Sequence, residues 1–296
     1  MPSFNVNAYL GGLPVDSKVI DINGMLLDVL PDLSRFHSLT KLEISNNNIS
    51  FLPKLPDTLI ELHCHHNQLT ILSELPPFLR ELRCYSNQLT ELANLPPNLT
   101  YLNCQYNKLI VLPTLPPKLK SIYVDNNLLT TLPELPRTIS TISCDCNYLT
   151  SLPKLPDNLM HLYCSSNQLT ELPALPHSLR VIYCHKNNLS IIPILSPHLI
   201  YLRFDQNPII HLLPRNYGGK MREDQYKLTD IISQLKIIHR FRHLFWSLKF
   251  KNQFRKFLWE RIRLPKIEER YHPRFLENIL DNIQDDDEVD EVLQNW

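Results

Sequence analysis

The sequence predicts a repeat solenoid, with short parallel β-strands on a concave face, about ten repeats of mostly 20 residues, and an α-helical C-terminal cap. Two regularities of the chain predict this fold class. Cysteine occupies one position in every 20 residues from Cys64 to Cys184, with Val124 as the one replacement. Asparagine recurs at the same interval, without a gap, from Asn47 to Asn207. Both regularities end before Pro214, so the array of stacked units is bounded there.

The repeated unit reads L-x-x-L-x-C-x-x-N-x-L-x-x-L-P-x-L-P-x-x. In the stretch Glu61–His65, alternation along a strand turns Leu62 and Cys64 toward the core and the other three side chains toward solvent. The first unit is aberrant, with 22 residues between its strand centre and the next, as a terminal cap requires. The ten predicted strand centres are Ile20, Leu42, Leu62, Leu82, Leu102, Ile122, Ile142, Leu162, Ile182 and Leu202.

Asparagine and proline have separate roles in this unit. An asparagine amide at the turn can bond backbone groups that have left the strand ladder, which predicts a continuous hydrogen-bonded column. Segments such as Leu112–Pro116 cannot stay helical because proline lacks an N–H, so they should run extended along the convex side. The unit resembles the leucine-rich repeat at the short end of its length range. Met25 departs from it, standing where asparagine is expected.

The stretch His63–His66 reads His-Cys-His-His and contains residue types that bind zinc. Strand alternation places Cys64 in the core and His63 in solvent, so the two cannot share a metal without breaking the strand. His63 and His65 share a face, but the next strand, Glu81–Tyr85, offers only one plausible further donor. We therefore predict no metal and no cofactor.

The cysteines are expected to be small apolar residues of the core, present as free thiols in a reducing compartment. Cys146 is the exception, because it lies in an outward position and is predicted to be the only accessible thiol. Met1–Gly12 lacks the pattern of a signal peptide, and no run of about 18 apolar residues occurs. These features favour an intracellular protein that is not secreted and has no transmembrane segment.

The outward strand positions carry the predicted binding specificity. They are rich in tyrosine, histidine and arginine, which combine large contact area with polar tips and are enriched in protein interfaces. A catalytic role has no support, because no catalytic triplet is specified and no glycine-rich phosphate loop occurs. The predicted partner-binding residues are His63, His65, Arg83, Tyr85, Tyr123, Asp125, Tyr163, Tyr183, His185, Arg203 and Asp205.

The predicted organisation is a capping segment at 1–18, the solenoid at 19–214 and a helical region at 215–296. Apolar residues recur at helical spacing after Thr229, over Asn252–Arg263 and over Phe275–Ile283. Residues 215–274 carry 16 basic and 6 acidic residues, whereas residues 275–296 carry 8 acidic and no basic ones, although the whole chain is neutral. We expect the acidic end to fold back on basic helices that cap the solenoid. The alternative is binding of anionic membrane or nucleic acid through the basic helices.

Two stretches resemble known families. The repeat, for instance Leu152–Leu159, is similar to the leucine-rich repeats of bacterial type III secreted effectors. Some of those carry a cysteine-dependent ubiquitin ligase domain, an activity not carried over because no cysteine follows Cys184. The tail, in Leu258–Ile267, Arg270–Pro273 and Asp290–Trp296, looks like the C-terminal segment of proteins of mimivirus-type giant DNA viruses.

The resemblance implies an origin in an infected host cell, with the protein in the host cytoplasm or the virion. The predicted function is a non-catalytic protein–protein interaction module that binds a host or viral protein on the concave face and takes no small-molecule substrate. The alternative is a substrate-selecting adaptor for a ubiquitin or other modifying machinery docked through the helical tail.

Overall fold

The computed structural model describes residues 5–72 and 74–208. It begins with one helix, α1 (Val6–Gly12), whose N-cap Asn5 accepts a hydrogen bond from the backbone N–H of Ala8 at 3.0 Å. Leu10 is buried, and the Arg35 guanidinium donates to the carbonyl oxygens of Leu10 and Leu13 at 2.9 and 2.6 Å. These contacts hold α1 to the start of the array, while the predicted boundary of the capping segment at residue 18 stays a prediction.

Ten three-residue strands follow α1, each with its central residue buried. They form one sheet in which the strand order follows the chain order and every neighbouring pair is parallel. The strands are β1 (Val19–Asp21), β2 (Lys41–Glu43), β3 (Glu61–His63), β4 (Glu81–Arg83), β5 (Tyr101–Asn103), β6 (Ser121–Tyr123), β7 (Thr141–Ser143), β8 (His161–Tyr163), β9 (Val181–Tyr183) and β10 (Tyr201–Arg203). All ten predicted strand centres are confirmed.

The backbone ladder continues past each strand. The N–H of Cys64 donates to the carbonyl of Arg83 at 2.8 Å, and the N–H of His66 donates to the carbonyl of Tyr85 at 3.0 Å. Successive units are therefore bonded over the whole stretch that alternation predicted as strand. Cys64 is fully buried, which confirms the inward cysteine position.

The asparagine column is the polar part of the core. Its nine members, from Asn47 to Asn207, are between 4% and 9% exposed. The Oδ1 atom of Asn127 accepts from the N–H of Leu109 in the preceding unit at 3.0 Å. Its Nδ2 donates to the carbonyls of Cys104 and Val124 at 3.0 Å each. Each amide thus joins two units and satisfies buried backbone groups, which confirms the predicted column.

The residue before each asparagine lies in the left-handed region with φ between 53° and 57°. In an L-residue this backbone costs roughly 1–2 kcal/mol, and glycine would avoid that cost. Only the first unit uses glycine at this point, Gly24 with φ 67°. The other nine turns use Asn46, His66, Ser86, Tyr106, Asn126, Cys146, Ser166, Lys186 and Gln206. Hydrogen bonds of the adjoining asparagine column offset the strain.

The leucine-proline segments form neither helix nor strand. Each is closed by a short turn, such as the bond from the N–H of Leu59 to the carbonyl of Pro56 at 3.2 Å. Within the described residues, no helix has both the length and the apolar content that a membrane span requires. The three predicted helices between Thr229 and Ile283, and the cap they were expected to form, lie outside the described residues.

Candidate functional site

The outward face of the sheet brings the predicted binding residues together. Stacked repeat units generally curve around their strand side, so we call this outward face the concave face. The register pairs Tyr163 with Tyr183 and Tyr183 with Arg203. Tyr123 is separated from Tyr163 by one intervening strand, whose residue in the same column is Ser143. The predicted line of tyrosines along the face is therefore present, with a gap at β7.

Strands β2 to β4 carry a chain of ion pairs across the concave face. Lys41 lies 2.8 Å from Glu43 and 3.5 Å from Glu61, and the Arg83 Nε lies 2.6 Å from Glu81. Burial alone would raise the pKa of Glu43, but hydrogen bonds from Lys41 and Asn23 lower it to about 2. The acidic and basic side chains of β2 to β4 therefore form ion pairs with one another within the protein.

His63 lies inside this chain of ion pairs and not in open solvent. Its Nδ1 is 3.4 Å from Glu43 and its Nε2 is 3.1 Å from Glu81. The residue is only 8% exposed, so the expectation that its side chain points freely to solvent is wrong. Neighbouring long side chains on strands about 4.8 Å away cover an imidazole that lies between them. A partner would reach His63 only by displacing its carboxylate neighbours.

The same cluster contains a possible metal-ligand set. Ligand atoms of Glu61, His63 and Glu81 lie within 4.8 Å of one another. Strand alternation identified one donor near the histidines, whereas the structure brings carboxylates from both β3 and β4. The Glu81 carboxylate already accepts from Arg83 and pairs with His63, and Lys41 lies beside Glu61. A divalent ion would have to displace these cations, so the residues fit an ion-pair network better than a metal site.

His65 and Tyr85 form a stacked pair next to the ion pairs. Their ring centroids are 4.2 Å apart with 9° between the planes, and His66 packs edge-on against both. Burial first, and then the charges of His66, His63 and Arg83, lower the pKa of His65 to about 4. His65 is therefore neutral at pH 7, and this part of the face is aromatic rather than cationic.

Tyrosines dominate the middle and the C-terminal part of the face. Tyr101 and Tyr123 are in contact at 5.4 Å between centroids, and Tyr163 meets Tyr183 edge to face at 5.3 Å. The Arg83 guanidinium lies 5.2 Å from the centre of the Tyr101 ring. The three tyrosines of the predicted line are half-buried, so they hold defined positions and still present surface to a partner.

Acidic side chains lie two residues past the ends of β6, β7 and β10. Asp125 is only 4% exposed, because its carboxylate accepts from the Ser143 hydroxyl at 2.6 Å and from the Asp145 N–H at 2.8 Å. The prediction that Asp125 faces solvent is therefore wrong. At the last described strand Arg203 donates to Asp205 at 2.8 Å. Burial lowers the pKa of the neighbouring His185, and the charge of Arg203 adds to that effect.

The cysteines provide no reactive group on this face. Six are buried, and Cys146 is exposed at its left-handed turn, as predicted. Burial raises the pKa of Cys64 to about 12 and disfavours the thiolate of the other five core cysteines in the same way. Thiolate is the nucleophile in cysteine chemistry, so these residues pack the core and are chemically inert.

A sequential parallel sheet of ten strands, an inward lattice of leucine and cysteine, and a buried asparagine column define a leucine-rich repeat solenoid. Solved structures of this fold are similar to the chain. YopM from Yersinia enterocolitica WA-314 is 35% identical, with 65% of this chain and 47% of that chain covered and a TM-score of 0.56. YopM from Yersinia pestis, described as a leucine-rich effector protein, is 33% identical, with 64% and 61% covered and a TM-score of 0.58.

The match spans only about half to three fifths of the length of these two bacterial proteins. The leucine-rich repeat domain of APL1B, at 19% identity and a TM-score of 0.54 over 68% of this chain and 72% of that one, shares the fold alone. No protein-family model matches the chain, and no curated protein sequence matches it.

Proposed function

We propose that the protein is a non-catalytic interaction module that binds a protein partner on its concave face. The tyrosine line of Tyr123, Tyr163 and Tyr183, continued by Arg203, is the observation that carries this proposal. Half-buried tyrosines offer a large apolar area with little loss of rotamer freedom, and each ends in a polar hydroxyl. The similarity to leucine-rich effector proteins supports the same function.

The surroundings of the tyrosines support a protein ligand over a small molecule. In the described residues the aromatic and charged positions extend over nine consecutive strands, from Glu43 to Arg203, as an open face. With strands about 4.8 Å apart, this face is roughly 40 Å long, which suits an extended macromolecular surface. Ion pairs at β2 to β4 fix the charges at one end and leave the tyrosines as the main anchoring area.

The test replaces Tyr123 and Tyr163 by alanine in the full chain. A well-packed aromatic anchor contributes about 2 kcal/mol or more, so the double variant should weaken partner binding by at least roughly 30-fold. The matched control replaces Lys154 and Asp157, two exposed residues of a convex segment, by alanine. Partners are first captured from host-cell extract, and affinities are then measured with the purified partner. Binding that survives the tyrosine change and fails with the convex change would place the site on the other side.

The proposed partner is a host or viral protein, because the tail Leu258–Ile267 resembles that of giant-virus proteins. The second candidate function is an adaptor for a ubiquitin or other modifying machinery, favoured by the abrupt change of composition after Pro214. Capture by the full chain is compared with capture by a chain ending near Asn216. Components of such machinery retained only by the full chain would support the adaptor, and equal capture by both would refute it.

A further inference from the structure

Strand β7 forms a notch in the tyrosine line. Ser143 pairs with Tyr123 on one side and with Tyr163 on the other, so the two rings rise from strands about 10 Å apart. Tyr123 contacts Tyr101 and Tyr163 contacts Tyr183, which means that each ring packs against the neighbour away from β7. A planar group stacked between two rings needs them about 7 Å apart, with two contacts of about 3.5 Å. The strand spacing therefore leaves room for one planar group between the two rings, above Ser143, which is itself buried.

Two carboxylates lie beside this notch. Asp125 and Asp145 follow the strands that carry Tyr123 and Ser143, two residues further along each chain segment. The Asp145 carboxylate accepts from the N–H of Ser165 at 2.5 Å. Among residues 5–72 and 74–208, neither aspartate forms an ion pair, in contrast to the paired acids at β2 to β4 and to Asp205.

The protein keeps Asp145 in a position that disfavours its charge. Burial, together with the charge of Asp125, raises the pKa of Asp145 to about 6, against the hydrogen bond from the Ser165 N–H. At neutral pH the carboxylate is still ionised, so the fold holds negative charge that its own cations leave uncompensated. A positively charged group from outside the protein would neutralise the Asp145 carboxylate.

We infer that this notch takes the guanidinium group of an arginine presented by the protein partner. The inference rests on the proposed function and names what the concave face recognises at its centre. Guanidinium is planar and stacks on tyrosine, and it can donate two parallel hydrogen bonds to one carboxylate. A lysine ammonium is not planar and cannot form this paired hydrogen bond. Tyr123 and Tyr163 are the walls, and Asp145 is the anion that pairs with the arginine.

The experiment titrates two small probes, N-acetyl-arginine amide and N-acetyl-citrulline amide, into the full chain with ring-labelled tyrosines. Citrulline keeps the shape and planarity of arginine and lacks its charge. The arginine probe should shift the NMR signals of Tyr123 and Tyr163, assigned with Tyr→Phe variants, and the citrulline probe should bind at least ten times more weakly. Asp145→Asn should weaken arginine binding at least tenfold, while Asp157→Asn on the convex side should leave it unchanged.

A second variant tests the shape of the notch. Thr141→Tyr places a ring in a column that already holds Tyr101 and Tyr201, so the fold accommodates it. By analogy with Tyr101 against Tyr123, the new ring should lie against Tyr163 and fill the notch, abolishing arginine binding. Absence of shifts with the arginine probe, equal binding of both probes, or unchanged binding by Asp145→Asn would each overturn the inference.

These outcomes are separable from the fate of the proposed function. A partner whose binding depends on Tyr123 and Tyr163 but not on Asp145 would leave the interaction module intact and refute the arginine site. A partner that ignores the tyrosines while the arginine probe still binds would refute the concave-face function and leave the notch as a cation-binding feature.

Discussion

Replacing Asp145 by asparagine should stabilise the protein at neutral pH. The pKa of this carboxyl is raised from an ordinary value of 3.8 to about 6, first by burial and then by the charge of Asp125. A difference of this size corresponds to about 3 kcal/mol. The Asp145 side chain is only half-buried, which reduces the effect, so we expect about 1 to 2 kcal/mol. The asparagine Oδ1 can still accept from the Ser165 N–H.

The effect of Asp145→Asn on stability depends on pH, because the folded and unfolded states bind protons differently at Asp145. Between pH 4 and pH 6 the folded protein holds a proton on Asp145 that the unfolded chain has released, so stability falls as the pH rises through this window. The gain from Asp145→Asn should be near zero at pH 4 and complete above about pH 7. Urea unfolding of both proteins at pH 4, 5.5 and 7.5 measures it, with Asp157→Asn as the exposed control. A variant less stable than the parent at pH 7.5, or a gain independent of pH, would refute the reasoning.

The cysteines, the asparagine column and the ion pairs of His63 each give further predictions. A thiol reagent should label Cys146 at once in the native protein and the other six cysteines only on unfolding. Cys104→Ser should lower the free energy of unfolding by about 1–3 kcal/mol because it buries a hydroxyl. Asn127→Ala should lower the free energy of unfolding by about 1–3 kcal/mol, since it leaves the buried Leu109 N–H without a partner, while the carbonyls of Cys104 and Val124 keep a second amide donor in Asn107 and Asn147. The exposed Asn188→Ala should change little, and equal effects would contradict the column's role. Zinc should not copurify stoichiometrically, and metal analysis showing one zinc lost in His63→Ala would contradict the ion-pair assignment.

The inward side of the solenoid was predictable because one short period controls it. A fixed 20-residue spacing and the two-residue alternation of a strand place Leu62 and Cys64 in the core without knowledge of any neighbour. The asparagine column follows from the same spacing, because a buried amide needs backbone partners and adjacent units supply them in register.

The outward side was less predictable because its side chains depend on neighbours 20 residues away. His63 and Asp125 are covered by side chains of adjacent strands, and alternation alone cannot show this. A signal was available for His63, since Glu43 precedes it by one unit of 20 residues and Glu81 follows it by 18, on the next strand. The left-handed turns left no signal, because residues as different as Tyr106 and Lys186 occupy that position instead of glycine.

The asparagine column runs in one direction, and this explains how such a chain changes length in evolution. Asn47 bonds the Leu27 N–H and the Ile22 carbonyl of the first unit, so the first unit needs no asparagine of its own and Met25 is tolerated there. Every later unit carries the amide that couples it backward. Duplication or loss of a whole unit therefore recreates each junction, whereas an insertion between a strand centre and the asparagine that follows it would break one; the first unit is longer, but its two extra residues lie outside that stretch. Each such event would change the distance between the tyrosines on its two sides by one strand spacing, about 4.8 Å. Gene duplication can therefore change the spacing of binding residues along the concave face while the core stays the same.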